Sequence, residues 1–133
     1  MSGGLNKKIR KAQKNVMRQA PQLVRSMTND AATYFKVNVF RNEGYDVQPM
    51  GGRWAKRKVK RVGRLMVKSG RLRRSITPNA RGKIGVVSSS VPYAAYHQKG
   101  EGGLPIRKIM GESKILNRKF DKKIRKALKK AFR

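Results

Sequence analysis

The sequence predicts an α+β domain, and three observations carry that expectation. Apolar residues recur at steps of three or four along both flanks of the chain, the spacing of one helical face. Between the flanks, 75–88 alternates in the period-two manner of a strand pair around a glycine-marked turn. The length, 133 residues, suits one domain with one modest core. The expected architecture is a small antiparallel sheet, a hairpin at about 75–88 plus a short strand at about 104–109. A long N-terminal helix and a C-terminal amphipathic helix pack with it. The single domain 1–133 carries three basic segments: an N-terminal one (1–20), a loop (53–64) and the C-terminal helix (112–133).

In chain order, the first stripe runs Leu5, Ile9, Ala12, Val16, Ala20, Leu23, Met27, Ala31 and Phe35. Pro21 interrupts it, and a proline costs a helix interior about 3 kcal/mol. A kink or break near Ala20 is therefore expected, with a second helix over 21–38 and Pro21 in its first turn. The stretch 40–52, with Asn42, Gly44, Pro49, Gly51 and Gly52, reads as loop. The stretch 53–64 holds seven basic residues, no acid and Trp54 near its start. It is either a solvated charge run with Trp54 tucked into the core, or a basic loop that tracks phosphates from a Trp54 anchor.

A short helix fits 65–74. Two strands follow, 75–78 and 83–88, joined through 79–82, with Gly82 supplying the positive φ of a tight connection. In the second, Ile84, Val86 and Ser88 alternate with Gly85 and Val87, a strand with one better-buried face. One or two helical turns over 93–98 end at Gly100, and 104–109 suits a third strand with Pro105 near its start. The last helix, from about Glu112, puts Leu116, Phe120, Ile124, Ala127 or Leu128, and Ala131 on one stripe. Glu112 is expected in its first turn, where the helix dipole favours an anion.

Charge bounds the function. Thirty-five Lys and Arg stand against six Asp and Glu, a formal net charge of +29. Self-repulsion of that size weakens a lone compact monomer, so the working form sits beside nucleic acid, an acidic protein ring, or both. The last helix has a broad polar face and a core-packing stripe, which disfavours a membrane surface. No apolar run approaches the ~20 residues of a membrane span, and the N-terminus lacks a signal peptide's apolar centre. With no cysteine there is neither a disulfide framework nor a thiolate metal site. His97, the single histidine, has only turn serines (Ser88, Ser89, Ser90) near it in sequence, without a nucleophile-elbow context. The six acids show no close pair. Neither a catalytic residue, a cofactor nor a metal is expected, and His97 reads as a packed ring or an interface residue.

The middle of the chain is more specific. Trp54 stands among basic residues; then come Leu65-Met66, Ser69-Gly70, Leu72 and Ser75-Ile76; then Val86 and Ser88; then Tyr93-Ala94, His97-Gln98 and Gly100; then Pro105 and Arg107. In this order they resemble the phage virion morphogenesis family, which includes tail-completion and neck proteins of tailed phages. The resemblance spans about 54–111 and is looser over the flanking helices. It implies a small α+β structural subunit that forms a homo-oligomeric ring beside connector, portal-side or tail proteins, with the virion as its location. Ile109 stands where the family pattern usually has an aromatic, and the basic 53–64 and C-terminal segments are heavier than the family suggests.

Trp54, Tyr93, Tyr96, His97 and Arg107 are amphipathic or planar side chains of the type that anchor subunit contacts. Lys56, Arg57, Lys58, Lys60, Arg61 and Arg64 are candidates to face packaged DNA or an acidic ring. The alternative, carried by the charge, is a stand-alone nucleic-acid-binding protein of ribosomal-protein character.

Overall fold

The computed structural model of the chain describes residues 2–48, 51–57, 66, 70–101 and 104–132. One long helical rod opens it: α1 (Ser2–Thr33), a π-helical turn (Tyr34–Asn38) and α2 (Val39–Asn42). The break expected at Pro21 does not occur; the proline lies inside α1. Its missing N–H orphans the Met17 carbonyl, but both residues are exposed, so water can satisfy that oxygen. The packing stripe also continues on both sides, and α5 (Lys114–Ala131) bridges the proline. Asn15 Nδ2 donates to the Ala131 carbonyl (3.0 Å) on one side, and Lys123 Nζ donates to Ser26 Oγ (2.5 Å) on the other. Those contacts make α1 and α5 antiparallel.

In the π turn the Val39 N–H donates to the Tyr34 carbonyl, one residue beyond the α spacing. The wider turn allows Tyr34 and Phe35, and then Val39 and Phe40, to be buried in succession. After α2 the chain turns at Glu43, whose φ is 48°.

The region expected to be loop, 40–52, instead holds the end of this rod and an antiparallel pair, β1 (Gly44–Gln48) and β2 (Gly51–Arg53). Gly44 pairs with Arg53 and Gln48 with Gly51, with an irregularity between them at which Asp46 takes φ 47°. Glycine-rich composition hid this pair. What holds it is outside the strands, through Tyr45 and Trp54, both buried.

Of the helix expected over 65–74, the described part is one turn, α3 (Arg71–Arg74), with Leu72 buried. The second hairpin forms as expected: β3 (Ile76–Arg81) and β4 (Ile84–Ser89) pair antiparallel from Ile76–Ser89 to Arg81–Ile84. Its two-residue connection, Gly82-Lys83, is tighter than the four residues expected, and Gly82 has φ 56°. The hairpin packs on α1. Gly85 and the half-buried Val87 lie on the side toward the core, while Ile84 and Val86 face solvent. Gly85 comes so close to the buried Thr28 that a Cβ there would lie 1.9 Å from its Oγ1.

Helix α4 (Tyr93–Lys99) ends at Gly100 in the left-handed region, as expected. The third strand does not form, and the described part of 104–113 has no regular structure. The Arg107, Ile109 and Met110 N–H groups are taken by α4 instead of by a neighbouring strand. α5 begins two residues later than expected, at Lys114, with Ser113 as its N-cap and Glu112 outside the helix.

The core is one cluster built from the π turn, α2, Tyr45, Trp54, Leu72, Ile76, Val91, Ala94, Ile109 and Leu116. The fold is thus α+β: a long N-terminal helix, two small antiparallel pairs and a C-terminal helix.

Candidate assembly site

Among the described residues, a dense set of side-chain hydrogen bonds fastens the extended segment 104–113 to the rest of the domain. Gln98, on α4, acts as a surrogate strand. Its Oε1 accepts from the Ile109 N–H (2.7 Å) and the Met110 N–H (3.2 Å), and its Nε2 donates to the Met110 carbonyl (2.5 Å). Next to it the Arg107 N–H donates to the His97 carbonyl (2.8 Å). The Arg107 side chain turns inward, and its Nε and Nη2 both donate to the Ala55 carbonyl (3.2 and 3.0 Å). Trp54 completes this side. Its Nε1 donates to the Lys108 carbonyl (2.8 Å) and its ring meets Phe40 edge-on at 5.5 Å.

At the far end of the segment, Asp46 collects donors. Tyr34 donates its hydroxyl to Oδ1 (2.8 Å) and in return accepts the Asp46 N–H (3.0 Å). Ser113 Oγ also donates to Oδ1, and the Lys114 N–H donates to Oδ2 (2.7 Å). Ser113 Oγ then accepts from the Leu116 N–H (3.1 Å), which caps α5. The anion at the α5 N-terminus is therefore Asp46, supplied from β1, and not Glu112. The Tyr45 hydroxyl donates to the Gly111 carbonyl, and Lys108 Nζ lies 4.6 Å over the Tyr45 ring.

These contacts set the electrostatics. Burial pushes the Asp46 carboxyl upward, but the hydrogen bonds from Ser113, Tyr34 and the Lys114 N–H outweigh it and hold the group below its usual value. Burial, and then the Asp46 carboxylate, raise the Tyr34 hydroxyl. Burial, and then the Arg107 charge, lower the His97 imidazole and favour its neutral form. Burial, then nearby Arg57, lower the Arg107 guanidinium.

The residues singled out from sequence fall into distinct settings. Trp54 and Arg107 are buried, and both bind main-chain carbonyls within the domain. Tyr93 and His97 are half-buried and meet edge to face at 6.3 Å; the buried His97 Nδ1 has no hydrogen-bond partner among the described residues. Tyr96 is 48% exposed and stands apart from that pair's contact. Lys56 is exposed and Arg57 half-buried, whereas Lys58, Lys60, Arg61 and Arg64 lie outside the described residues. Sequence reading gave no role to Gln98, Asp46, Tyr34, Tyr45 or Ser113. Ser113, a capping residue immediately before an apolar helical stripe, carried a usable signal. Asp46, one of few acids in so basic a chain, carried a weaker one.

Chemically, this is a fastening. Its tyrosine, serine, glutamine and arginine groups bind main chain or one carboxylate. Among the described residues no group of three or more His, Cys, Asp or Glu side chains could hold a metal ion. No helix among them is long and apolar enough to cross a membrane. The residues that form the fastening include Trp54, Gln98 and Arg107, members of the spaced pattern noted above. A family model, that of the phage virion morphogenesis family, matches residues 4–129.

The chain belongs to the phage virion morphogenesis family. The match takes in both long helices as well as the centre, so the flanks are part of the family domain. No curated protein and no solved structure matches the chain. Membership of the phage virion morphogenesis family brings a structural, morphogenetic role and association with the virion.

Proposed function

We propose that the chain is a non-enzymatic subunit of the head–tail connector, neck or tail-completion apparatus, closing into a ring of identical copies during particle assembly. The observation that supports this is a segregation of charge. The stretch 75–98, which covers the β3–β4 hairpin and most of α4, carries only Arg81 and Lys83 as charged residues. It shows Ile84 (70% exposed) and Val86 to solvent on the outward side of β4, and Tyr96 on α4. The hairpin is a two-stranded sheet, so each strand has one edge unpaired by any strand among the described residues. Such an edge is a template for another chain.

Two copies that each carry +29 repel one another almost everywhere else, so a self-contact belongs on this face. A ring needs one patch to meet a different patch on the next copy; the apolar hairpin face supplies one of the two. Connector, portal-side or tail proteins would lie above and below.

The test is Ile84→Lys with Val86→Lys, introduced into the phage. Both side chains are exposed, so the subunit should keep its melting temperature within a few degrees. The variant should be missing from particles, and heads and tails should fail to join. Normal incorporation of a folded double variant would remove the hairpin from the ring contact.

A further inference from the structure

The structure joins two basic runs that lie at opposite ends of the sequence. Because α1 and α5 are antiparallel neighbours, position 15 meets 131 and position 26 meets 123. At 3.6 residues per turn, successive side chains are about 100° apart. On α1 the side chains that reach α5 are Asn15, Ser26 and Asp30. The exposed Lys7, Lys11, Lys14, Arg18 and Arg25 lie roughly a third of a turn round from them, at steps of three, four or seven.

On α5 the residues that reach α1 are Lys119 and Lys123. The exposed Arg118, Lys122, Arg125 and Lys129 again lie roughly a third of a turn away, in the same rotational sense. Reversing one helix against the other turns equal rotations toward one side of the seam. Both cationic rows therefore flank the seam on a common face, opposite the side on which Leu116 and Phe120 enter the core.

We infer that this two-row face binds the phosphate backbone of duplex DNA without reading its sequence. The rows meet little internal opposition. Asp30 is the one acid in α1 and sits in the seam against Lys119 and Lys123; Asp121 is the one acid in α5 and pairs with Arg125 at 2.9 Å in an exposed ion pair. From Lys7 to Arg25 the α1 row is about 27 Å long, a length of duplex that carries on the order of fifteen phosphates. Packed helices set their axes about 8–10 Å apart, comparable with the ~6–12 Å widths of the grooves that separate phosphate rows.

A protein partner would be expected to seat aromatic or apolar anchors among the cations. Within the rows, from 7 to 25 and from 118 to 129, the intervening positions at helical steps hold Arg10, Pro21 and Asp121, with no aromatic, and exposed Ile115 and Phe132 lie just beyond the two ends of the α5 row. This inference stands on the charge geometry of the two helices and does not depend on the ring.

The experiment measures binding of the purified full-length chain to a 30-base-pair duplex by fluorescence anisotropy across a salt series. One variant carries Lys7→Gln, Lys11→Gln, Lys14→Gln and Arg18→Gln. A second carries Arg118→Gln, Lys122→Gln, Arg125→Gln and Lys129→Gln. A control removes four exposed cations elsewhere: Arg73→Gln, Arg81→Gln, Lys83→Gln and Lys99→Gln.

With about 0.9 of log–log salt slope per phosphate contact, each row variant should lower the slope's magnitude by roughly three units, equally for unrelated DNA sequences, with the control within about one. Poly-glutamate at equal charge should leave the duplex bound. An equal loss in the control would reduce the face to diffuse net charge and overturn the assignment. Displacement of the duplex by poly-glutamate would reassign the face to an acidic protein.

Discussion

The centre of the molecule and its helix pair are held by opposite means. Around Asp46, Trp54, Gln98 and Arg107, buried and half-buried side chains bind main-chain groups in fixed geometry, and those of Gln98 take the place of bonds to a neighbouring strand. Along α1 and α5, charge is abundant but little of it is paired: Asp30 meets Lys119 and Lys123, and Asp121 meets Arg125. Hydrogen bonds to buried backbone are costly to lose, because the orphaned group is left without water. Exposed ion pairs are cheap to lose, because solvent and salt already screen them. The comparison teaches that so basic a chain keeps one fold through fixed side-chain bonds to its main chain, while the cations of α1 and α5 stay largely exposed.

The sharpest way to break the comparison is Trp54→Ala. It removes a buried ring and the Lys108 contact together, and should cost roughly 3–5 kcal/mol, read as a large fall in the urea midpoint. Gln98→Ala comes next. It orphans the Ile109 and Met110 N–H groups, at about 1–3 kcal/mol for a buried donor, and should speed amide exchange at 109 and 110 before any other part of the core. Gly85→Ala tests close approach instead of bonding. Its Cβ would overlap Thr28, and overpacking of this type costs roughly 1–3 kcal/mol. A parallel Gly85→Ala, Thr28→Ala double variant should recover part of that loss, and no recovery would mean the strain lies elsewhere.

The fourth test is pH. Asp46 has a folded-state pKa below its unfolded value, so the unfolded chain binds the proton more readily. Its contribution is present above the unfolded carboxylate pKa, near 3.9, and is lost as pH falls through the lower folded value. Acid titration of stability should show this loss in the parent chain and a flatter profile in Asp46→Asn. Smallest of all should be Lys123→Ala in the helix pair, at or below about 1 kcal/mol for a partly exposed ion pair. A cost as large as that of Gln98→Ala would erase the distinction between the two regions.

Local pattern decided a good deal of this protein. The α+β class, the two long helices, the β3–β4 hairpin with Gly82 and the α4 end at Gly100 were legible, because each depends on spacing within a few residues, whereas Leu5 and Ile9 of the α1 stripe and Ile124 and Leu128 of the α5 stripe stand exposed. The family was legible too, in an ordered set of motifs, of which Trp54, Gln98 and Arg107 bind main-chain groups at the fastening. Pro21 misled because the proline penalty is local, whereas the packing that overrides it comes from α5, more than a hundred residues on.

The missed β1–β2 pair and the absent third strand have one cause. Whether an extended segment becomes a strand depends on which donors and acceptors lie beside it in space. Tyr45 and Trp54 pin a glycine-rich pair that looks like loop, and Gln98 occupies the backbone of a segment that looks like strand. Charge followed the same division. Composition set the sum at +29, but only the antiparallel packing of α1 on α5 placed two distant cationic rows on one face, since direction round a helix acquires meaning only against a neighbour.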